Sequence, residues 1–226
     1  MLAATRLAAA DVAPLSLSID FIKGITVGLV ESRGRIVSAS RSTQFIHVET
    51  GQAGVCCATS SIVFAKRRVT DRINSATMPR CAPPESLQTI AIDGGPVTWI
   101  KQYDMRPALG NLRQRSPQMR SLTWVRLSND RNLSFVTLTA LSDASFPRIF
   151  YHYDAPSPIA TVTMSVHFHA AAADLAAIGG DFVLIEASNQ LARDGFFDQH
   201  VRVWSRGGDL LATSTQLVWF DVSNPS

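Results

Sequence analysis

The residues able to do chemistry are the polar ones set among apolar neighbours. In the stretch DFVLIEASNQLARDGFFDQHVRVWSRGGDLLATSTQLVWF, residues 181–220, these are Ser188, Asp194, Asp198, His200 and Gln216. Just before it, residues 160–169 set Thr163, Ser165, His167 and His169 between apolar side chains, and Asp143 follows an apolar run. Hydroxyls and a carboxamide hold and orient water, whereas a carboxylate or an imidazole titrating near pH 6.5 takes its proton. The pair His167-x-His169 points both rings one way, but no third ligand accompanies it, so no metal centre is expected. Tyr151-His152-Tyr153-Asp154 has the composition of a reactive cluster, yet it sits in a proline-containing stretch and reads as a surface turn. The patterns Gly-x-Ser-x-Gly, Gly-x-x-x-x-Gly-Lys and Gly-x-Gly-x-x-Gly are absent, which leaves out the serine-hydrolase elbow and the common nucleotide loops.

Such groups need a scaffold to hold them. The 226 residues suffice for one large domain or two small ones with a sizeable core. Hydrophobic residues at 46% and charged residues at 17% indicate a globular chain. No apolar run approaches the roughly 20 residues that cross a bilayer. The N-terminal alanine-rich segment carries Arg6 inside its apolar run and Asp11 directly after it, so it is not read as a signal peptide. Cys56, Cys57 and Cys81 give neither a disulfide framework nor a metal spacing, and buried thiols in a reducing cytoplasm are expected. The net charge of +3 comes mostly from arginine, concentrated loosely at residues 66–68 and 106–131. No nucleic-acid-binding pattern accompanies it; a solvated face is the plain reading and a phosphate-binding patch the sharper one.

The elements read in order. Residues 2–12 have helical spacing and stop before Pro14, and residues 15–22 alternate as a half-buried strand. Strands are expected at 27–32, 36–45 and 54–65, with a polar loop at 49–52. A connecting region over 79–120 holds one strand at 97–103 and an Arg/Gln-rich loop at 111–120. Beyond it come a strand at 122–127, helical segments at 133–141 and 144–150 broken at Pro147, and an alternating strand at 160–169. Strands at 182–188, 196–205 and 210–220 complete the list, the last entered through Gly207-Gly208. Helix, alternating strand and three further strands are thus written twice, over 2–65 and 133–220. The expected class is α+β: two repeats, each a helix cradled by antiparallel strands, sharing one continuous sheet.

The residues resemble double hotdog proteins of the acyl-CoA thioesterase II type. The resemblance rests on Ser165-Val166-His167-Phe168-His169, on Glu186-Ala187-Ser188 with Gly195-Phe196 following, and on Gly208-Asp209-Leu210-Leu211-Ala212 running into Thr215-Gln216. It is best over 142–220, fair over 14–65 and weak over 79–120. It implies an N-terminal hotdog repeat at 1–78, a connecting region at 79–120 and a C-terminal repeat at 121–226. The family commonly has a strand and a longer helix ahead of the first alternating strand, so the first repeat is expected to be abbreviated or its start assigned late.

The resemblance also implies a reaction: hydrolysis of acyl-CoA thioesters, as in fatty acid metabolism, without metal or cofactor, by an Asp, a Ser or Thr and a Gln acting on one water. It sets the hydroxyl on Ser188, the glutamine on Gln216 and the aspartate position on Thr163, which is a departure. Thr163 could keep a hydrogen bond but not accept a proton. His167, Asp194 and Asp198 are candidate replacements, each also readable as an ordinary surface or sheet residue. Asp143 matches an acidic position common in the family and is expected to cap or anchor the helix. A hydratase is excluded because Asn and His do not follow Asp143 on the helix. The expected partner is an acyl-CoA or related thioester, with no nucleic acid and no membrane span; a homo-oligomer is compatible with edge-to-edge pairing of hotdog sheets. The alternative is a catalytically impaired hotdog that binds acyl thioesters or serves assembly.

Overall fold

The computed structural model describes residues 1–90, 99–110, 119–128, 131–153 and 158–221. In the first half, α1 (Leu2–Leu7) precedes β1 (Ala13–Phe21), β2 (Glu31–Ala39), β3 (Thr43–Gln52) and β4 (Val55–Ala65). The second half holds β5 (Tyr103–Leu109), β6 (Ser121–Leu127), α2 (Phe135–Leu141), β7 (Ile159–Phe168), α3 (Ala172–Ile178), β8 (Val183–Ser188), β9 (Ala192–Arg193), β10 (Phe196–Ser205) and β11 (Leu210–Phe220). All join one antiparallel sheet in the order β2-β3-β4-β1-β7-β11-β10-β8-β6-β5, with β9 paired to β10. Outward from the seam between β1 and β7, the order β1-β4-β3-β2 is repeated as β7-β11-β10-β8. The duplication expected from the sequence is therefore present, and the two copies share a continuous sheet.

The seam is a regular antiparallel pairing in which Leu17 faces Val166 and Ser18 faces Ser165. On the inner face of the sheet, one apolar cluster runs across both halves. It includes Leu17, Ile46, Ile62, Met164, Val166, Val201 and Val203, and it receives Ala4 of α1 and Leu138 and Leu141 of α2. Full burial of such a side chain contributes about 1.5–3 kcal/mol, and the cluster draws its members from both halves. Gly34 lets α1 lie close on β2: a Cβ there would come within 2.6 Å of Leu7 Cδ1. The outer face of the second half buries Leu122, Trp124, Phe182, Leu184 and Trp204 under Ala76, Met78, Cys81 and Leu87, from the end of the first repeat and the start of the connecting segment. Trp124 Nε1 donates to the Ala82 carbonyl at 2.8 Å and fastens that segment down.

Some expected elements shift. Residues 27–30 form no strand, and the run 36–45 is divided between β2 and β3 by a turn in which Ser40 Oγ accepts from the Thr43 amide. The polar run Ser40-Arg41-Ser42-Thr43-Gln44 marks that turn, and the strand expected at 36–45 ran across it. Residues 49–52 belong to β3; the reversal comes at Ala53 and Gly54, both at positive φ (51° and 79°), the backbone of a tight hairpin. Trp99–Gln102 is a 3-10 turn and the strand of the connecting region begins at Tyr103, while residues 97–98 and 111–118 lie outside the described residues. The helix α3 was not anticipated.

Candidate active site

Helix α2 begins with a capping box: Ser134 Oγ accepts from the Thr137 amide, and Thr137 Oγ1 accepts from the Ser134 amide. Its C-terminal end is tied to β11, because Ser214 Oγ donates to the Ser142 carbonyl at 2.9 Å. The next residue, Asp143, continues the terminal turn through its amide, which donates to the Ala140 carbonyl. Two residues beyond Ser214 on β11, and therefore on the same face, stands Gln216. Its Nε2 donates to Asp143 Oδ1 at 2.9 Å. One strand thus both holds the helix end and presents the amide to its carboxylate. At the C-terminal end of α2, Asp143 cannot serve as the helix N-cap.

The third member comes from an irregularity in β7. Register with β11 runs Gln216 to Met164 and Leu217 to Thr163, then slips so that Val218 faces Thr161. Val162 is the extra residue of a β-bulge, a feature that re-aims side chains. Strict alternation would set Thr161 on the outer face with Thr163; after the bulge it shares the inner face with Gln216. Its hydroxyl donates to Gln216 Oε1 at 3.4 Å. The carboxylate accepts only, so the amide offers it NH2, and the oxygen is left for the threonine.

These groups line a cavity of about 310 Å³ with Trp99, Tyr103, Gln199 and Ser145. Asp143 is exposed at the cavity mouth, yet protein crowding around its carboxyl raises the pKa to about 6, offset in part by the Gln216 hydrogen bond. Burial also raises the Tyr103 phenol, with a further upward push from the Asp143 charge. Gln216 is 5% exposed and Gln199, its cross-strand partner on β10, is 3% exposed. A carboxylate titrating near pH 6 beside an oriented carboxamide and a hydroxyl can hold one water and take its proton.

The residues expected to form the site with Gln216 lie elsewhere. Ser188 pairs with His200 on β10, and His200 pairs with Thr215 on β11. All three point to the outer face, so Ser188 and Gln216 are on opposite sides of the sheet. Thr163 is exposed and faces Asp20 of β1; His167 is exposed and faces Ser16. Asp198 accepts from the Gln190 and Leu191 amides and pairs with His200 at 2.7 Å, which accounts for it as a turn anchor. Asp194 occupies the left-handed turn position (φ 53°) and pairs with Arg193. Of the acidic residues that the sequence offered, Asp143, expected there to cap or anchor the helix, is the one that stands beside Gln216. In the sequence Thr161 shows only as one polar residue of the alternating strand 160–169, and Gln199 and Ser145 carry no signal. The signal for Asp143 was an acid directly after an apolar helix; nothing in the alternation of 160–169 reveals the bulge.

Among the described residues, Arg67, Arg106, Arg120 and Arg126 of these segments make contacts within the fold. Arg67 donates to the Phe168, His169 and Pro14 carbonyls, Arg106 and Arg126 pair with Asp104, and Arg120 pairs with Glu186. A larger cavity of about 470 Å³ lies between residues 72–76 and the start of β11. There Arg72 and Asp209 pair at 2.6 Å. Among the described residues no three His, Cys, Asp or Glu side chains converge as a metal site, and no helix is long and apolar enough to cross a membrane. Cys56 is exposed, Cys57 buried and Cys81 partly covered.

Family models match nearly the whole chain: an acyl-CoA thioesterase N-terminal domain over residues 1–65 and an acyl-CoA thioesterase C-terminal domain over residues 78–220. A search of curated proteins found no match. Among solved structures, a conserved hot dog fold protein from Alicyclobacillus acidocaldarius is 31% identical, with TM-score 0.89 over 93% of this chain and 80% of that one. The acyl-CoA thioesterase II TesB2 of Mycobacterium marinum is 16% identical, with TM-score 0.75 over 96% of this chain and 84% of its own. The tesB protein of Mycobacterium avium subsp. paratuberculosis is 19% identical, with TM-score 0.76 over 97% and 83%. These likenesses establish the double hotdog fold.

Proposed function

Because the chain belongs to the acyl-CoA thioesterase family, we propose that it hydrolyses an acyl-CoA thioester by direct attack of a water that Asp143 deprotonates. The observation that carries this reading is the hydrogen bond from Gln216 to Asp143 inside a cavity, with Thr161 orienting the amide. A base works best when its pKa lies close to the operating pH, and about 6 meets that condition where an ordinary aspartate does not.

The steps balance as follows. The water oxygen bonds to the thioester carbon while Asp143 takes one of its protons. Of the two amide hydrogens of Gln216, one holds Asp143 and the other is free to meet the water or the developing oxyanion. The tetrahedral intermediate collapses, the carbon–sulfur bond breaks, and the proton on Asp143 passes to the departing thiolate. A thiol pKa of about 8.5 makes that thiolate a good leaving group that is reprotonated at neutral pH.

Hydrolysis of acyl-CoA, followed by loss of thioester absorbance, tests the assignment with two substitutions. Asp143→Asn is expected to lower kcat by about 10²–10⁴-fold, and Ser188→Ala on the opposite face to leave it within about twofold. Full activity in Asp143→Asn would remove Asp143 from the reaction. The alternative of an impaired protein rests on the carboxylate missing at Thr163, a role that falls to Asp143 under this proposal.

A further inference from the structure

Among the described residues, two buried side-chain atoms find no hydrogen-bond partner in the protein: Ser145 Oγ and Gln199 Oε1. Both residues line the Asp143–Gln216 cavity. Buried polar atoms left unpaired are rare, each costing the desolvation of that group, and two on one cavity wall call for a common explanation. Elsewhere the inner face is strongly apolar. The residues packed on either side of Gln199 along β10, Phe197 and Val201, are buried hydrophobes. A cavity for a plain hydrocarbon chain has no use for a buried carboxamide at this place.

The position of Gln199 fixes what it could meet. Gln199 and Gln216 are directly opposite on β10 and β11 and share the inner face. Such cross-strand side chains start roughly 5 Å apart at Cβ. One of the two arms of a thioester attacked beside Gln216 and Asp143, acyl or pantetheine, therefore passes close to Gln199. Oε1 accepts hydrogen bonds and does not donate, whereas Ser145 Oγ does both. A hydroxyl completes this pair by donating to Gln199 and accepting from Ser145, and it also suits a reversed amide because it both donates and accepts. A keto or carboxylate oxygen offers no donor, and a methylene offers nothing.

We propose that the preferred substrates are hydroxyacyl thioesters whose hydroxyl lies within the first three carbons from the carbonyl, with Gln199 and Ser145 selecting them. This rests on the thioesterase reading above and names the substrate class for the same cavity. A site that hydrogen-bonds a substrate hydroxyl discriminates against the analogue lacking it, because its own buried groups are then left unpaired.

The test compares kcat/KM for 3-hydroxyhexanoyl-CoA and hexanoyl-CoA in the wild type, Gln199→Leu and Ser145→Ala. One ordinary hydrogen bond corresponds to about tenfold, so the wild type is expected to favour the hydroxyacyl substrate by about 10-fold or more. In Gln199→Leu the ratio should fall to about one as the apolar substrate gains and the hydroxylated one loses; Ser145→Ala should reduce it in part. A wild-type ratio of one, with both substrates hydrolysed, overturns the selectivity and means that solvent satisfies the two atoms, while the thioesterase reading stands. Hydrolysis of neither substrate overturns both. The wild-type ratio decides the matter even if a variant fails to fold.

Discussion

Asp143 has two properties that rarely coincide in one carboxylate: it reaches solvent at the cavity mouth, and the protein around it lifts its pKa to about 6. The elevation has a thermodynamic consequence. Because the folded pKa lies above the unfolded value of 3.8, the folded state disfavours the ionised form. The contribution favouring folding is complete below pH 3.8 and is lost as pH rises through about 6. Asp143→Asn removes the ionisation, so its melting temperature should equal or exceed that of the wild type at pH 8, with the gap closing at pH 4. Thermal melts at the two values check this, and a loss of stability at pH 8 would contradict it. Thr161→Val, which keeps the shape but not the hydroxyl, should lower kcat by about 10-fold by leaving the Gln216 amide unoriented; steady-state kinetics reads this directly. The sequence made Gln216 and Asp143 visible as polar residues in apolar surroundings. It could not show that Ser188 faces away from Gln216, since that depends on the pairing of Ser188 with His200 and of His200 with Thr215. Nor could it separate Thr161 from Thr163, because the one-residue bulge that reverses their faces leaves no mark on the alternating pattern.

Elements deliver these residues through a few buried polar ties. Ser214 joins β11 to the end of α2, one turn of strand from Gln216, so Ser214→Ala should cost about 1–2 kcal/mol of stability. It should also slow turnover, since Asp143 would lose its fixed distance to the amide; chemical denaturation and kcat together test both. Arg148 secures the segment after Asp143. It is fully buried, donates to the Phe146, Met119 and Ala187 carbonyls and to Ser121 Oγ, and lies 4.7 Å over the Tyr151 ring. Arg148→Met strips those acceptors of their donor and should destabilise the fold by about 3–5 kcal/mol, measured by urea unfolding. The strands of the second half were legible because alternation, aromatic content and the Gly207-Gly208 turn agree on them. The turn at Ser40 lies in the polar run Ser40-Arg41-Ser42-Thr43-Gln44, a signal that the expected strand at 36–45 overran. The helix α3, a short alanine-rich segment between two strong strands, lacks the two-turn apolar stripe that marks longer helices.

At the scale of the whole molecule, the seam between β1 and β7 makes the halves one cooperative body. Leu17, 1% exposed, faces Val166 across that seam within the shared core. Leu17→Ala should cost about 2–5 kcal/mol and lower the transition of the entire chain rather than split it, as far-UV circular dichroism and tryptophan fluorescence would show by melting together. Fluorescence is suited to this because Trp124 and Trp204 report on the second half while the substitution lies in the first. The duplication was readable from the repeated order of helix and strands, and so was the family. The connecting segment was not readable as a cover for the outer face, because its contacts are scattered side chains and carbonyls without periodicity. The reaction assigned to this frame depends on one carboxylate, and its pH profile is the most direct test. Acyl-CoA hydrolysis measured from pH 4.5 to 8.5 should rise with a single ionisation near 6 in the wild type and lose both that limb and about 10²–10⁴-fold of its rate in Asp143→Asn. A wild-type rate and pH profile retained by Asp143→Asn would contradict the account.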